Sequence, residues 1–311
     1  MTESNKNYVA KNFEQFYSEI GKTFWRKDSA SGRPIKTKVT GNETYHYTKN
    51  NEVGGKDSDI EEYKISYKLN SKGFRSDEFN ESLSKDNYLY AGCSYTFGTG
   101  VPLDFCWAAQ LNKSLGKQNF FNLGVTGGST HRIIVNVLNY IKSYGSPKGI
   151  FILFPDLTRT DIFIDSYRVT INTEKPYGNP RDIGLRDVSE LEKLEESKKF
   201  LTYERLFYDF SFSILNLEML CEALDIDLFW GAWDNQLNEY ILDSGPSGFK
   251  NYVDVLKEEI IEKVINDNYE KFNQFSSIPH WDKARDGNHP GIKQHSIYGK
   301  IFLDYLKNSA D

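Results

Sequence analysis

From residue 86 onward the chain alternates between short apolar runs and longer amphipathic ones, and this rhythm limits the fold more than any other feature. "NYLYAG" (87–92), "NFFNLGV" (119–125), "GIFILF" (149–154) and "DIDLFWGAW" (225–233) read as strands. Between them, "DFCWAAQLNKSLG" and "STHRIIVNVLNYIKSYG" read as helices. The first is ended by Gly116, and the second has Ser129 or Thr130 as its N-cap. "GIFILF" is apolar throughout, as a strand covered on both faces must be. Strands that alternate with helices of this length predict a parallel sheet layered by helices on both sides. The expected parallel strands lie near 87–92, 119–123, 149–154 and 226–231.

The flanking regions differ. Residues 1–85 are polar and charged, with short alternating stretches such as "KVTGNETYHYTKN" and "EEYKISYKLNSKGFRS" and a helical pattern near 9–20. They read as a β-rich N-terminal extension to an α/β domain spanning 86–311. Near 160–200 the rhythm breaks into a segment rich in charge, Gly and Pro, which reads as an insertion ending in a short solvated helix. "TYERLFYDFSFSILNLEMLCEAL" is a long helix, "YVDVLKEEIIEKVIND" another, and "HSIYGKIFLDYLK" a closing amphipathic one.

The 311 residues include 20 Tyr and 21 Phe, enough aromatic area for a large core. A formal charge of −6 with scattered Lys and Arg argues against a nucleic-acid partner. Cys93, Cys106 and Cys221 form no CxxC pair and no metal-ligand spacing, so a zinc site is not expected. The polar N-terminus and the lack of a long apolar run predict a cytoplasmic protein without a membrane partner.

Three loops follow the carboxyl ends of the first three strands, where open α/β sheets bind ligands. They hold Ser94, "GVTGGST" (124–130) and "FPDLTR" (154–159). "GCSYT" is not the G-x-S-x-G elbow, because Thr96 stands at the second glycine. "GTGVPL" lacks the third glycine of a dinucleotide fingerprint, and neither glycine run has a P-loop Lys. A serine nucleophile needs a base. Of His46, His131, His280, His289 and His295, His289 has the most suggestive neighbours, "KARDGNHPGIKQH". Asp286, three residues earlier, can hydrogen-bond its Nδ1 and leave Nε2 to face a serine. The same Asp would serve equally as a helix cap.

These blocks, in this order, resemble the SGNH (GDSL-type) hydrolases. "YAGCSYTFG" is similar to the block that carries the nucleophile, with Gly92, Cys93 and Ser94 at the G-D-S positions. "NLGVTGGS" matches N-x-G-x-x-G at Asn122, Gly124 and Gly127, and "DGNHPG" matches D-x-x-H at Asp286 and His289. "LNSKGFRSDEF" looks like the lead-in of some members, including phage-encoded ones. The resemblance spans roughly residues 72–307. It implies a flavodoxin-like three-layer α/β/α sandwich and a serine esterase with a Ser94–His289–Asp286 triad. The implied oxyanion hole uses the N–H groups of Ser94 and Gly127.

Two departures stand out. Cys93 replaces the Asp of the first block, a residue that is not the nucleophile. In the third block the family has G-x-N-D, whereas this chain has Asp156 near the Asn position. An ionised carboxylate donates no hydrogen bond. Thr158 or Arg159 then becomes the alternative third donor, or the hole runs on two amides. Loss of one such donor costs on the order of 10²–10³ in rate. The substrate expected is an O-acyl ester, with O-acetyl groups on carbohydrate favoured. Asp156, Tyr95 and Trp281 are substrate-binding candidates, and Tyr95, Phe97, Trp107, Trp233 and Trp281 offer rings to stack on sugars, against core packing as their ordinary role. The competing class is a binding or structural protein that kept the fold and lost the chemistry. Convergence of Ser94, His289 and Asp286 would favour the enzyme.

Overall fold

The computed structural model describes residues 44–46, 66–164, 167–173, 188–233, 284 and 289–308. The expected helices near 9–20 and 252–267, together with Trp281 and Asp286, lie outside the described residues.

Four parallel strands form the central sheet: β3 (Tyr88–Gly92), β4 (Phe121–Asn122), β5 (Gly149–Phe154) and β8 (Asp227–Ala232). Their spatial order is β4-β3-β5-β8. All three pairings are parallel, with Tyr90 level with Phe151 and Phe151 level with Phe229. The chain steps from β3 to β4 on one side and then crosses to β5 on the other. This is the flavodoxin-like order, with its switch point between β3 and β5.

Period-two alternation assigns the sheet's two faces. Phe151 points to one face, where it stacks on Tyr90 and Phe229 and meets Phe302 edge-on. There α3 (Trp107–Ser114) packs against α7 (Ile292–Asn308), with Trp107 stacked on Phe302 at 4.8 Å. Phe154 points to the other face, where it meets Phe210 of α6 (Tyr203–Ala223). That layer also holds α4 (Thr130–Tyr144). The result is a three-layer α/β/α sandwich. Ser129 accepts from the Arg132 N–H and caps α4.

The edge strand β4 is shorter than the expected 119–123, although Leu123 N–H and Val125 N–H still donate to the Tyr90 and Gly92 carbonyls; its outer side is taken by a neighbouring segment. Asp77 N–H donates to the Phe120 carbonyl, Phe120 N–H donates to Asp77 Oδ2, and Asn122 N–H donates to Ser76 Oγ. The stretch 67–79 thus covers a sheet edge that would otherwise invite pairing. It also sends Tyr67, Leu69 and Phe74 into the same core as the sheet. Upstream, β1 (Thr44–His46) and β2 (Ser66–Lys68) form an antiparallel pair.

The insertion holds an antiparallel pair, β6 (Arg159–Ile164) with β7 (Tyr167–Asn172), which the charge-rich composition around it had masked. The helix at its end, α5 (Val188–Lys198), is not simply solvated. Leu194 is fully buried with Ile162, Val169 and Ile171 in a small second core, and Glu190 is buried too. Alternating Ile162, Val169 and Ile171 need a cover, and one face of α5 supplies it. Among the described residues no helix is long and apolar enough to cross a membrane.

Candidate active site

Ser94 opens a single helical turn, α2 (Ser94–Phe97), directly after β3. The strand-to-helix reversal is tight, and Gly92 is required for it. A Cβ there would stand 2.0 Å from Thr96 Oγ1 and 2.6 Å from the Leu153 carbonyl oxygen. Thr96 N–H and Phe97 N–H both donate to the Cys93 carbonyl, closing the turn. The Ser94 N–H is left at the amino end of α2 with no hydrogen-bond partner among the described residues.

The second loop is held against this turn by Asn122. Its Nδ2 donates to the Thr96 carbonyl at 3.0 Å, and its Oδ1 accepts from Gly124 N–H at 2.7 Å. Gly124 passes so close that a Cβ would lie 2.4 Å from Phe97 N. The loop then turns at Gly128, whose N–H donates to the Val125 carbonyl. Gly127 is exposed, and its N–H has no partner among the described residues. The two glycines of the N-x-G-x-x-G match thus differ in kind: Gly124 is buried for close approach, and Gly127 is exposed.

The third loop explains the carboxylate that replaces an amide. Asp156 Oδ1 accepts from the Thr158 hydroxyl at 2.5 Å, and Arg159 Nη2 lies 3.8 Å from Asp156 Oδ2. Thr158 is fully buried and its one hydroxyl proton is committed to Asp156. Arg159 leans toward the same carboxylate and over the Trp233 ring, 6.0 Å from its centroid. Thr158 is therefore engaged within its own loop, whereas Arg159 stands beyond hydrogen-bond distance of the same carboxylate. Asp156 itself is buried as an acceptor.

A column of rings stands beside the serine. Tyr95 stacks on Trp233 at 4.4 Å and meets the His289 ring edge-on at 5.9 Å. Trp233 Nε1–H donates to Cys93 Sγ at 3.4 Å, and Ser94 Oγ lies 3.9 Å from the same sulfur. Cys93 is fully buried. His289 is half-buried, and its carbonyl accepts from Ala284 N–H. The structure brings His289 to the residue next to Ser94; no direct Ser94–His289 hydrogen bond is among the bonds of the described residues. Tyr95, Phe97 and Trp107 are all buried core residues, whereas Trp233 is half-buried.

The other described histidines have different places. His131 is exposed at the start of α4. His295 is fully buried on α7, where its Nδ1 accepts the Trp107 N–H at 3.2 Å and so caps α3. Burial, then the neighbouring His289 and Arg75, push His295 down to about 3, which keeps it neutral and able to accept. Among the described residues no cluster of His, Cys, Asp or Glu is placed to hold a metal.

A cavity of about 710 Å³ adjoins the crevice between α4, α6 and β6. Ile134, Leu138, Leu157, Leu206, Phe210 and Leu217 make it largely apolar, and His131 and Arg159 also line it. Arg159 therefore belongs both to this cavity and to the loop that carries Asp156.

No protein-family model matches the chain, and no curated protein matches it. Solved structures do. One is a member of the lipolytic protein G-D-S-L family from Veillonella parvula, 14% identical, with a TM-score of 0.37, covering 71% of this chain and 97% of the other. Another is a proposed acylhydrolase from Bacteroides fragilis, also 14% identical, with a TM-score of 0.36, covering 75% of this chain and 91% of the other. The likeness is one of fold. At this identity and TM-score it bears on neither substrate nor mechanism, which rest on the residues themselves.

Sequence reading missed the double role of Asn122, the Trp233–Cys93 contact and the Thr158–Asp156 pair. Each joins loops or neighbours through a side chain whose direction depends on tertiary packing. The only signal available was the polar residue type at a strand end.

Proposed function

We propose that the protein is a serine hydrolase of O-acyl esters, with Ser94 as nucleophile, His289 as general base and Asp286 as the group that orients the imidazole. The observation that carries this reading is the position of Ser94. It sits at the amino end of a helical turn beside the sheet's switch point, with the Ser94 and Gly127 N–H groups, neither partnered among the described residues, on adjoining loops.

In the proposed reaction, Ser94 Oγ attacks the ester carbonyl carbon while its proton passes to His289. The C=O electron pair moves onto oxygen, which the Ser94 and Gly127 N–H groups receive. Collapse of the tetrahedral intermediate expels the alkoxide, which takes the proton from His289 and leaves an acyl-serine. Water then repeats the sequence, giving its proton to His289 and releasing the carboxylic acid and free Ser94. The chemistry requires no metal or organic cofactor.

The acyl group we assign first is acetyl, carried on a carbohydrate, with the half-buried Trp233 ring, backed by Tyr95, as the sugar platform. A second reading, favoured by the apolar cavity beside Arg159, is a longer acyl chain. A fluorophosphonate probe tests the common core of both. It should label Ser94 in the wild-type chain, and Ser94→Ala should lose labelling and turnover together. His289→Ala should lose nearly as much, because triad members act as a unit. Wild-type protein that neither labels nor cleaves acetyl, longer-chain or acetylated-sugar esters would sink the hydrolase reading and leave a binding protein of the same fold.

A further inference from the structure

The lead-in "LNSKGFRSDEF" holds a buried cation that the hydrolytic scheme does not use. Arg75 is 1% exposed. Its Nη1 donates to the Gly98 carbonyl at 2.7 Å and to the Phe97 and Val101 carbonyls at 3.2 Å, and Nη2 donates again to Val101 at 3.2 Å. The guanidinium lies 4.6 Å from the Tyr67 ring centroid and 5.7 Å from that of Phe97. The Tyr67 hydroxyl accepts the Gly100 N–H at 2.7 Å. Tyr67 of β2 and Arg75 of the lead-in therefore grip the segment 97–101 from one side.

That segment is the carboxyl end of the nucleophile's own helix. Gly98 N–H and Thr99 N–H donate to the Ser94 carbonyl at 3.0 and 3.1 Å. One chain of hydrogen bonds thus runs from Arg75 through Gly98 to Ser94. An isolated helical turn of four residues does not hold its own shape, since the first turn is the unfavourable nucleus of any helix. Its last carbonyls need outside donors, and a cation at that end suits the helix dipole. A planar fork reaches three carbonyls at once, which a lysine ammonium on a single stem does not.

We propose that Arg75 is a positioning residue for Ser94: by clamping the carboxyl end of α2 it sets the direction of the nucleophile and of the oxyanion amide at the amino end. This rests on the reading of Ser94 as nucleophile. Arg75 touches neither substrate nor reacting atoms, so its loss should act on turnover and not on substrate binding. A misplacement of about 1 Å at a reacting group is enough to cost on the order of 10²-fold in rate.

The test compares the full-length wild type with Arg75→Lys, Arg75→Met and Arg75→Ala, using a p-nitrophenyl ester and the fluorophosphonate probe. Folded Arg75→Met should lose about 10²-fold in kcat and in labelling rate, and Arg75→Lys about tenfold, with KM within about twofold of wild type. Methylguanidinium should restore part of the activity of Arg75→Ala and none to Ser94→Ala. If Arg75→Met does not fold, Arg75→Lys decides. Folded variants with wild-type kcat and labelling rate would overturn the proposal while leaving the hydrolase reading intact. An inactive, unlabelled wild type would instead remove the nucleophile, and the positioning role with it.

Discussion

The side-chain amide of Asn122 donates to the Thr96 carbonyl and accepts from the Gly124 N–H, so that one buried residue ties the glycine loop to the helical turn of Ser94. Removing it leaves a carbonyl and an amide without partners in a dry place. Asn122→Ala should lower stability by about 2–4 kcal/mol, from two unmet groups at roughly 1–3 kcal/mol each less partial relaxation. Asn122→Asp should keep the bond to Gly124 and lose the one to Thr96. Urea denaturation at neutral pH checks both. Equal stability of Asn122→Ala and wild type would show that the two loops hold each other without it.

Asp156 gives the sharper test of the oxyanion hole. In Asp156→Asn the amide oxygen can still accept from Thr158, and the amide nitrogen adds a donor where the carboxylate had none. The expected outcome is a rise in kcat of up to about tenfold, below the 10²–10³ that a full oxyanion donor supplies. A fall would show that the negative charge matters through its hold on Arg159. Steady-state kinetics on one acetyl ester separates the two outcomes.

His295 predicts a loss of stability in mild acid. Its folded value, about 3, lies below the ordinary 6.5, so the unfolded chain takes up the proton first. Stability from this group is therefore complete above pH 6.5 and declines as pH falls from there toward 3. By pH 5 the loss is about 2 kcal/mol. The difference in unfolding free energy between wild type and His295→Gln, followed from pH 7.5 to 5, isolates this group from the other histidines. A pH-independent difference would show that His295 is not held neutral.

The cavity lined by Leu138, Leu157 and Phe210 makes acyl-chain length measurable. If acyl chains enter it, kcat/KM should rise from acetyl to hexanoyl p-nitrophenyl esters, and Leu157→Trp should remove the rise while sparing acetyl. A flat or falling series favours the acetyl reading, and acetylated xylo-oligosaccharides or amino sugars then become the substrates to compare.

The strand–helix alternation after residue 86 was sufficient for the fold class because burial imposes it directly on composition. A strand covered on both faces, such as 149–154, has to be apolar throughout, and no partner is needed to see it. The reversal at Gly92 and the place of Ser94 just past a strand end were legible for a related reason: residue type alone marks a turn or a hydroxyl. The β6–β7 pair was not legible, since Ile162, Val169 and Ile171 alternate within a segment whose average composition is charged. Nor was the partner of Asp156, the neutral state of His295 or the grip of Arg75 on Gly98. Each depends on where a side chain ends after distant segments pack, and on the dielectric that this packing creates. Local sequence determines periodicity and chemical type; only the folded chain decides which groups lose water together, and therefore which hydrogen bonds and charges they must share.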